Sequence, residues 1–484
     1  MKKIVKLLAL VLLAVVILIM YNTLTFNSPA KIEAVERVTV NADSKVLGKA
    51  ISFQTISHKA EMIDEEAFHG FHAYLDSVFP LTDSLLGKES INTYSRIYTW
   101  KGSDPSLAPL VLMAHQDVVP VEYATLDQWD YPPFSGKVTD QHIYGRGTLD
   151  DKGSMVAMLY AVELLLKQGY TPKRTVYLCF GHDEEISGRE GARVIAQTLR
   201  ERGVKAEMVL DEGGTLSRGI VPGIEKEVAL IGTAEKGYVS LKLAVDLPGG
   251  HSSMPEERTA LGILNNALYR LNEAPFPNRL TEPLEGFVEY LGPELPFMQK
   301  MAFANTWLFK PLIFNVYSQS ASGAALIHTT QVPTVFQSGI KDNIVPNRAH
   351  AIVNYRLLPG DEPREILERA KKIVHDSSVV IRIFDDVAIP ASPVSPHKSV
   401  PFKRLAAAVK AIYPEAIVSP YLVLGATDGR YFYSISKHVY RFSPFPMEKE
   451  DLPRIHGINE RVSVKGFQNS VSFYATLLKD WGNS

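Results

Sequence analysis

Two histidines and a scatter of carboxylates stand in short motifs whose residue types suit metal coordination. In "MAHQDVVP", His115 and Asp117 are one residue apart after an apolar run. On an extended backbone such a pair shares a face, so the carboxylate can orient the imidazole while its other nitrogen binds a cation. In "YGRGTLDDKGSM", Asp150 and Asp151 stand at a helix start, where capping needs only one carboxylate. "GHDEEISG" sets Asp183, Glu184 and Glu185 side by side, an arrangement whose repulsion a bound cation would relieve. "VLDEGG" adds Asp211 and Glu212, and "LPRIHGINERV" adds His456 in a loop before the last amphipathic helix. Taken singly, each motif reads as a cap, a turn or a surface charge. Together they offer the donor set that two hard-to-borderline cations such as zinc require.

Other residues suit a substrate. In "GATDGRYF", Arg430 offers the natural fork for a free carboxylate. Asn343, in "KDNIVPNRAHAIVNYR", is a weaker candidate, and Arg356 in the same stretch reads as solvated. "PGGHSSMP" places His251 after a strand, either on the surface or reaching a site. Asp183 reads as a turn or capping residue. Several chemistries are excluded. The G-x-G-x-x-D spacing is neither a dinucleotide fingerprint nor a P-loop, and no G-x-S-x-G elbow is present. The single cysteine, Cys179, permits no intramolecular disulfide, and its place in "TVYLCF" makes it a buried apolar residue. A formal net charge of -2 gives no electrostatic reason to expect nucleic acid as a partner.

The elements that must position these residues alternate. "LVLMAHQD", "TVYLCFGHDEE" and "AEMVLDEGG" read as strands, with helices between them, which implies βαβ units and a largely parallel sheet. Each acidic motif falls where a strand ends, and in open α/β sheets sites form beyond those ends. From Gly237 the order becomes βαββαβ, as in a ferredoxin-like α+β unit. The expected organisation is a first domain over 35–236, an inserted α+β domain over 237–388, and the rest of the first domain over 389–484. The segment from about Pro275 to Thr330 shows no clear pattern. Residues 1–30 open with Lys2, Lys3 and Lys6 before an apolar run to Met20. That run reads as a membrane anchor, with a cleaved signal as the alternative. By the positive-inside rule, the lysines stay in the cytoplasm and the catalytic part lies outside it.

The series "AHQDVVP", "GRGTLDDKGS", "GHDEEISG", "VLDEGG" and "RIHGINE" resembles the co-catalytic zinc metallopeptidase family of aminoacylase, carboxypeptidase G and succinyl-diaminopimelate desuccinylase. "GHDEEISG", "GHSSMP" and "IHGINE" are most similar to its carboxypeptidase S and N-acyl amino acid hydrolase branch. The resemblance covers nearly all of the chain beyond the leader. It implies that His115 binds one Zn2+, Asp150 bridges two, Glu185 and His456 bind the second, and Glu212, or else Asp211, completes the first. It also implies that Asp117 orients His115, Glu184 is the general base, and His251 stabilises an oxyanion, often in a neighbouring subunit of a homodimer. The expected activity is hydrolysis of an amide next to a free carboxylate in a small substrate such as an N-acyl amino acid or short peptide. A catalytically silent peptide-binding relative is the rival reading.

Overall fold

The computed structural model describes residues 1–29, 32–58 and 63–482. Position 30, where the leader is expected to end, and the last two positions of the final segment lie outside the described residues. The main sheet has eight strands. In chain order these are Gly87–Ile91 (β1), Ser95–Trp100 (β2), Leu110–His115 (β3), Val176–Gly181 (β4), Met208–Arg218 (β5), Val228–Glu235 (β6), then Ile417–Val423 and Val439–Glu448. A second sheet is built from Gly237–Asp246 (β7), Thr330–Ser338 (β8), Arg348–Leu357 (β9) and Val380–Ile389 (β10). Ile417–Val423 is therefore β11 and Val439–Glu448 is β12.

The main sheet runs in the order β1-β2-β4-β3-β5-β12-β6-β11. Its centre is parallel: β3 pairs with β4 and β5, β5 with β12, and β6 with β11. The edge formed by β1 and β2 is antiparallel, as is the contact of β5 with β6, so the sheet is mixed but mostly parallel. β3 is buried along its whole length, which fits its continuous apolar sequence and a place between two covered faces. Helix Lys152–Lys167 is buried around nearly its whole circumference. Its residues Met155, Val156 and Val162 share one core with Phe467, Val471 and Trp481 of the final helix Val464–Gly482.

The second sheet has the order β8-β9-β7-β10 and is antiparallel throughout. This is the ferredoxin-like arrangement. Helices Ala260–Asn272 and Pro363–Val374 bury Leu264, Leu271, Ile366 and Val374 against it in a core of their own. The stretch without a clear sequence pattern is helical, over Glu282–Leu291, Phe297–Ala304, Thr306–Tyr317 and Ala321–Ile327. The first of these helices returns to the main sheet, where Leu291 packs with Ile224, Val228 and Leu230. Short helices separated by Pro and turn residues show no sustained period, which is why the sequence hides them. Residues Lys2–Thr25 form one apolar helix in which only Thr23 is buried.

A candidate metal centre

Register brings the motifs together. His115, the last residue of β3, pairs with Gly181, the last of β4, and the Glu184–Ile186 turn begins three residues beyond. β5 flanks β3 on its other side, with Leu112 opposite Leu210, which carries Glu212 to the same end of the sheet. The acidic pair was expected at the end of this strand. The strand instead runs on to Arg218, and the pairing with β12 slips just after Asp211, where Gly213 has φ +102°. A residue with a Cβ rarely adopts that conformation. The slip lets the two acids face different ways. Asp211 points inward and accepts from the Gly429 amide at 2.6 Å, whereas Glu212 Oε1 lies 3.7 Å from His115 Nε2.

Asp150 joins the two histidines. Its Oδ1 is 2.8 Å from His115 Nε2 and its Oδ2 is 3.0 Å from His456 Nε2, which also lies 3.2 Å from Glu185 Oε2. Ligand atoms of His115, Glu184 and Glu212 fall within 4.8 Å of one another, as do those of His115, Asp150 and Glu185. Asp117 sits behind this group. Its main-chain carbonyl is 2.9 Å from His115 Nδ1, and its carboxylate accepts from the amides of both Glu184 and Glu185 at 3.2 Å. One buried residue thus holds the imidazole through its backbone carbonyl and pins the turn through its carboxylate, whose Oδ1 is 3.4 Å from the same ring nitrogen. Asp183 takes no part: it accepts from the amides of Glu190 and Gly191 ahead of helix Ala192–Glu201, the turn role that its sequence suggested.

His251 and Asn343 lie together but elsewhere. His251 pairs with Ile344 in a two-stranded ribbon of the second unit and is exposed, and the Asn343 carbonyl accepts from the Ser252 amide. None of these hydrogen bonds reaches the carboxylate group. Arg430, on the short helix Asp428–Ser434, does reach the Glu184 turn. It donates to the Ser187 carbonyl at 2.8 Å, lies 4.8 Å over the Tyr431 ring, and keeps a buried Nε without a partner.

The donor set fits a pair of divalent cations. It combines imidazole and carboxylate, its members converge, and Glu185 Oε1 is buried with no partner. A model of peptidase family M20/M25/M40 matches residues 111–480. This chain belongs to that family. Among its relatives, probable carboxypeptidase S-like 2 of Dictyostelium discoideum is 37% identical over 97% of this chain and 92% of its own length. The N-fatty-acyl-amino acid synthase/hydrolase PM20D1 of Xenopus tropicalis is 40% identical over 90% of this chain and 85% of its own. In fold, the chain is similar to an M20 family metallo-carboxypeptidase from Sulfolobus solfataricus, with TM-score 0.69, 20% identity, and coverage of 92% and 100%. The chain is thus an M20 peptidase or amidohydrolase of a metal-dependent kind.

Electrostatics in this M20 site follow from crowding acids out of water. Burial pushes Glu184 and Glu212 well above the carboxylate range, and the neighbouring acids add to this. Hydrogen bonds to Asp150 and Glu185 hold His456 up at about 10. His115 is also raised, because the hydrogen bonds to Asp117 and Asp150 outweigh burial. His456 is held at φ +57°, a conformation costly for a residue other than glycine and often found where function over-determines the backbone.

What fixes that loop is an ion pair the motifs did not reveal. Arg146, of the "GRG" segment, lies 2.5 Å from Glu460 and donates to the His456 carbonyl at 3.1 Å. Glu460 also accepts from the amides of Gly147 and Leu149, both at 2.9 Å. The loops carrying Asp150 and His456 are thereby stitched together. No sequence signal joins residues 314 positions apart; a glutamate inside the "HGINE" motif was the only hint. A second buried pair, Glu235 with Arg441 at 2.9 Å, supports the Asp428 segment through Thr427 and was equally illegible.

Proposed function

We propose that this enzyme hydrolyses an amide bond next to a free carboxylate, in an N-acyl amino acid or at the carboxyl end of a short peptide. The observation that carries the reading is the convergence of His115, Asp150, Glu185, Glu212 and His456 around one point, with Glu184 on the same turn. His115, Asp150 and Glu212 would hold one divalent cation, and Asp150, Glu185 and His456 a second. The mixed imidazole and carboxylate donors suit zinc. Such cations, when bound, supply Lewis acidity toward a carbonyl and lower the pKa of a water.

The chain's own groups do the rest. The Glu184 carboxylate takes a proton from water as the water oxygen attacks the amide carbon. The same carboxyl then delivers the proton to the nitrogen as the C–N bond breaks, leaving a carboxylic acid and an amine. His251 Nδ1 accepts from the Ser253 amide at 3.2 Å, so in the neutral ring Nε2 carries the proton and is free to donate to an oxyanion. That role needs the second unit of the same or a partner subunit to bring His251 to the site, and we assign residues 237–388 as the inserted lid or dimerisation domain that does so. Arg430, aided by Asn343, is assigned to the substrate carboxylate, on its place beside the Glu184 turn and a buried Nε that has no partner. Lys2–Thr25 is read as an uncleaved anchor, long and apolar enough to span a bilayer, with catalysis outside the cytoplasm.

The test is turnover of a panel of N-acyl amino acids, from acetyl to long-chain, and dipeptides, with and without chelator. Glu184→Gln is expected to abolish hydrolysis while metal content stays near wild type. Activity equal to wild type in that variant, or cleavage unchanged by chelation, would overturn the reading.

A further inference from the structure

The helices Phe297–Ala304 and Thr306–Tyr317 form a hairpin whose outer surface is apolar to an unusual degree. Met298, Trp307, Leu312 and Val316 are each more than half exposed, with Phe297 and Leu308 close behind. A soluble surface rarely gathers so many large apolar side chains in one place without a partner. Across residues 297–317 there is no aspartate or glutamate, and the only charges are Lys300 and Lys310. Aromatic and aliphatic side chains mixed with lysine, and no acid, make a composition suited to a bilayer boundary.

The hairpin is also tied to the C-terminal end of the N-terminal helix. Asn305, at the hairpin turn and fully buried, accepts from Asn22 Nδ2 at 2.9 Å. Its own amide faces the Ile19 carbonyl at 3.2 Å and Thr23 Oγ1 at 3.3 Å. Phe26 packs against Gly292, just ahead of the hairpin. If Lys2–Thr25 crosses a membrane, its last turn is therefore fixed to the hairpin, and the hairpin lies where the helix leaves the bilayer.

We propose that Phe297–Tyr317 is a second membrane-contacting element, which seats Trp307, Leu312 and Val316 in the head-group and upper acyl region of that bilayer. The inference rests on reading Lys2–Thr25 as a spanning helix, so the two are tested separately. The probe for the hairpin is native. Trp100, Trp129 and Trp481 are buried, which leaves Trp307 as the exposed tryptophan. The full chain is reconstituted into vesicles of phosphatidylcholine and phosphatidylglycerol carrying a doxyl label at a shallow or a deep acyl position. Emission of wild type minus that of Trp307→Phe isolates the Trp307 signal, and the conservative variant keeps the fold. The expected result is loss of most of that signal with the shallow label and less with the deep one. A signal insensitive to both labels overturns the proposal. Should Trp307→Asp also convert a detergent-solubilised dimer to monomer, the face would belong to a second copy of this chain. Alkaline carbonate extraction of the same vesicles reports on the spanning helix alone: retention with no Trp307 quenching sinks the hairpin and spares the anchor.

Discussion

Removing Arg146 would expose how much of the site depends on groups that touch no substrate. In Arg146→Met the Glu460 carboxylate keeps the amides of Gly147 and Leu149 but loses the cation paired with it. Both partners are almost completely buried, with side chains 3% and 0% exposed, so solvent screens little of the change. Breaking such a pair by deleting one member costs about 3–5 kcal/mol. The two retained amides favour the lower figure, while the lost bond to the His456 carbonyl and the contact with the Trp129 ring, 5.6 Å away, act the other way. Burial already pushes Glu460 up to about 7 from 4.5 despite Arg146. Between those values the folded chain holds a proton that the unfolded chain has lost, so this group's contribution to stability falls as pH rises through the window and levels off above 7. Without Arg146 the folded pKa climbs further, and the decline should continue past neutrality at about 1.4 kcal/mol per pH unit. Urea unfolding in detergent at several pH values measures both effects. Adding Glu460→Gln to Arg146→Met should restore part of the loss and flatten the pH dependence, because the amide oxygen still accepts from both backbone groups without a buried charge. A single variant within about 1 kcal/mol of wild type at every pH would refute the argument, since surface changes commonly fall in that range.

Asp117→Asn keeps the backbone carbonyl at His115 Nδ1 but loses a carboxylate that accepts from the Glu184 and Glu185 amides, so it should weaken metal affinity about 10-fold, the lower end of what losing a group behind a ligand does, as read by competition with a chromophoric chelator. Asp211 and Glu212 are separated by the same assay: Glu212→Gln is expected to lose one cation per chain, whereas Asp211→Asn, whose side chain faces the Gly429 amide, should keep both. Adding zinc to chelator-treated protein at pH 7 should release protons, because His456, His115, Glu184 and Glu212 are all held above their ordinary values. Calorimetry in buffers of different ionisation enthalpy counts those protons, and a count of zero would contradict the assigned ligands. The Cys179 thiol is pushed up by complete burial, so a thiol reagent should label it only as fast as the chain unfolds.

The candidate site was legible because groups that suit a metal are particular residue types, and a parallel sheet delivers side chains at its strand ends. His115 and Glu185, which end or follow β3 and β4, are visible on both grounds, and Asp150 and His456, carried in loops, by residue type alone. The choice between Asp211 and Glu212 was not, because period-2 alternation assigns faces only while a strand keeps register, and the slip at Gly213 is a property of three strands packed together. The Arg146–Glu460 pair escaped for a related reason. Arginine in a glycine-rich loop and glutamate after a turn are ordinary surface residues by composition, and only tertiary packing buries them against each other. The helices between 282 and 327 lack a period because each is short, and the exposed face of two of them breaks the apolar-in, polar-out rule on which sequence reading depends. That violation and the strained His456 share one logic. On the two proposals made above, a feature that lowers the stability of the isolated chain would persist because something outside the chain, a cation in one case and a bilayer in the other, completes it.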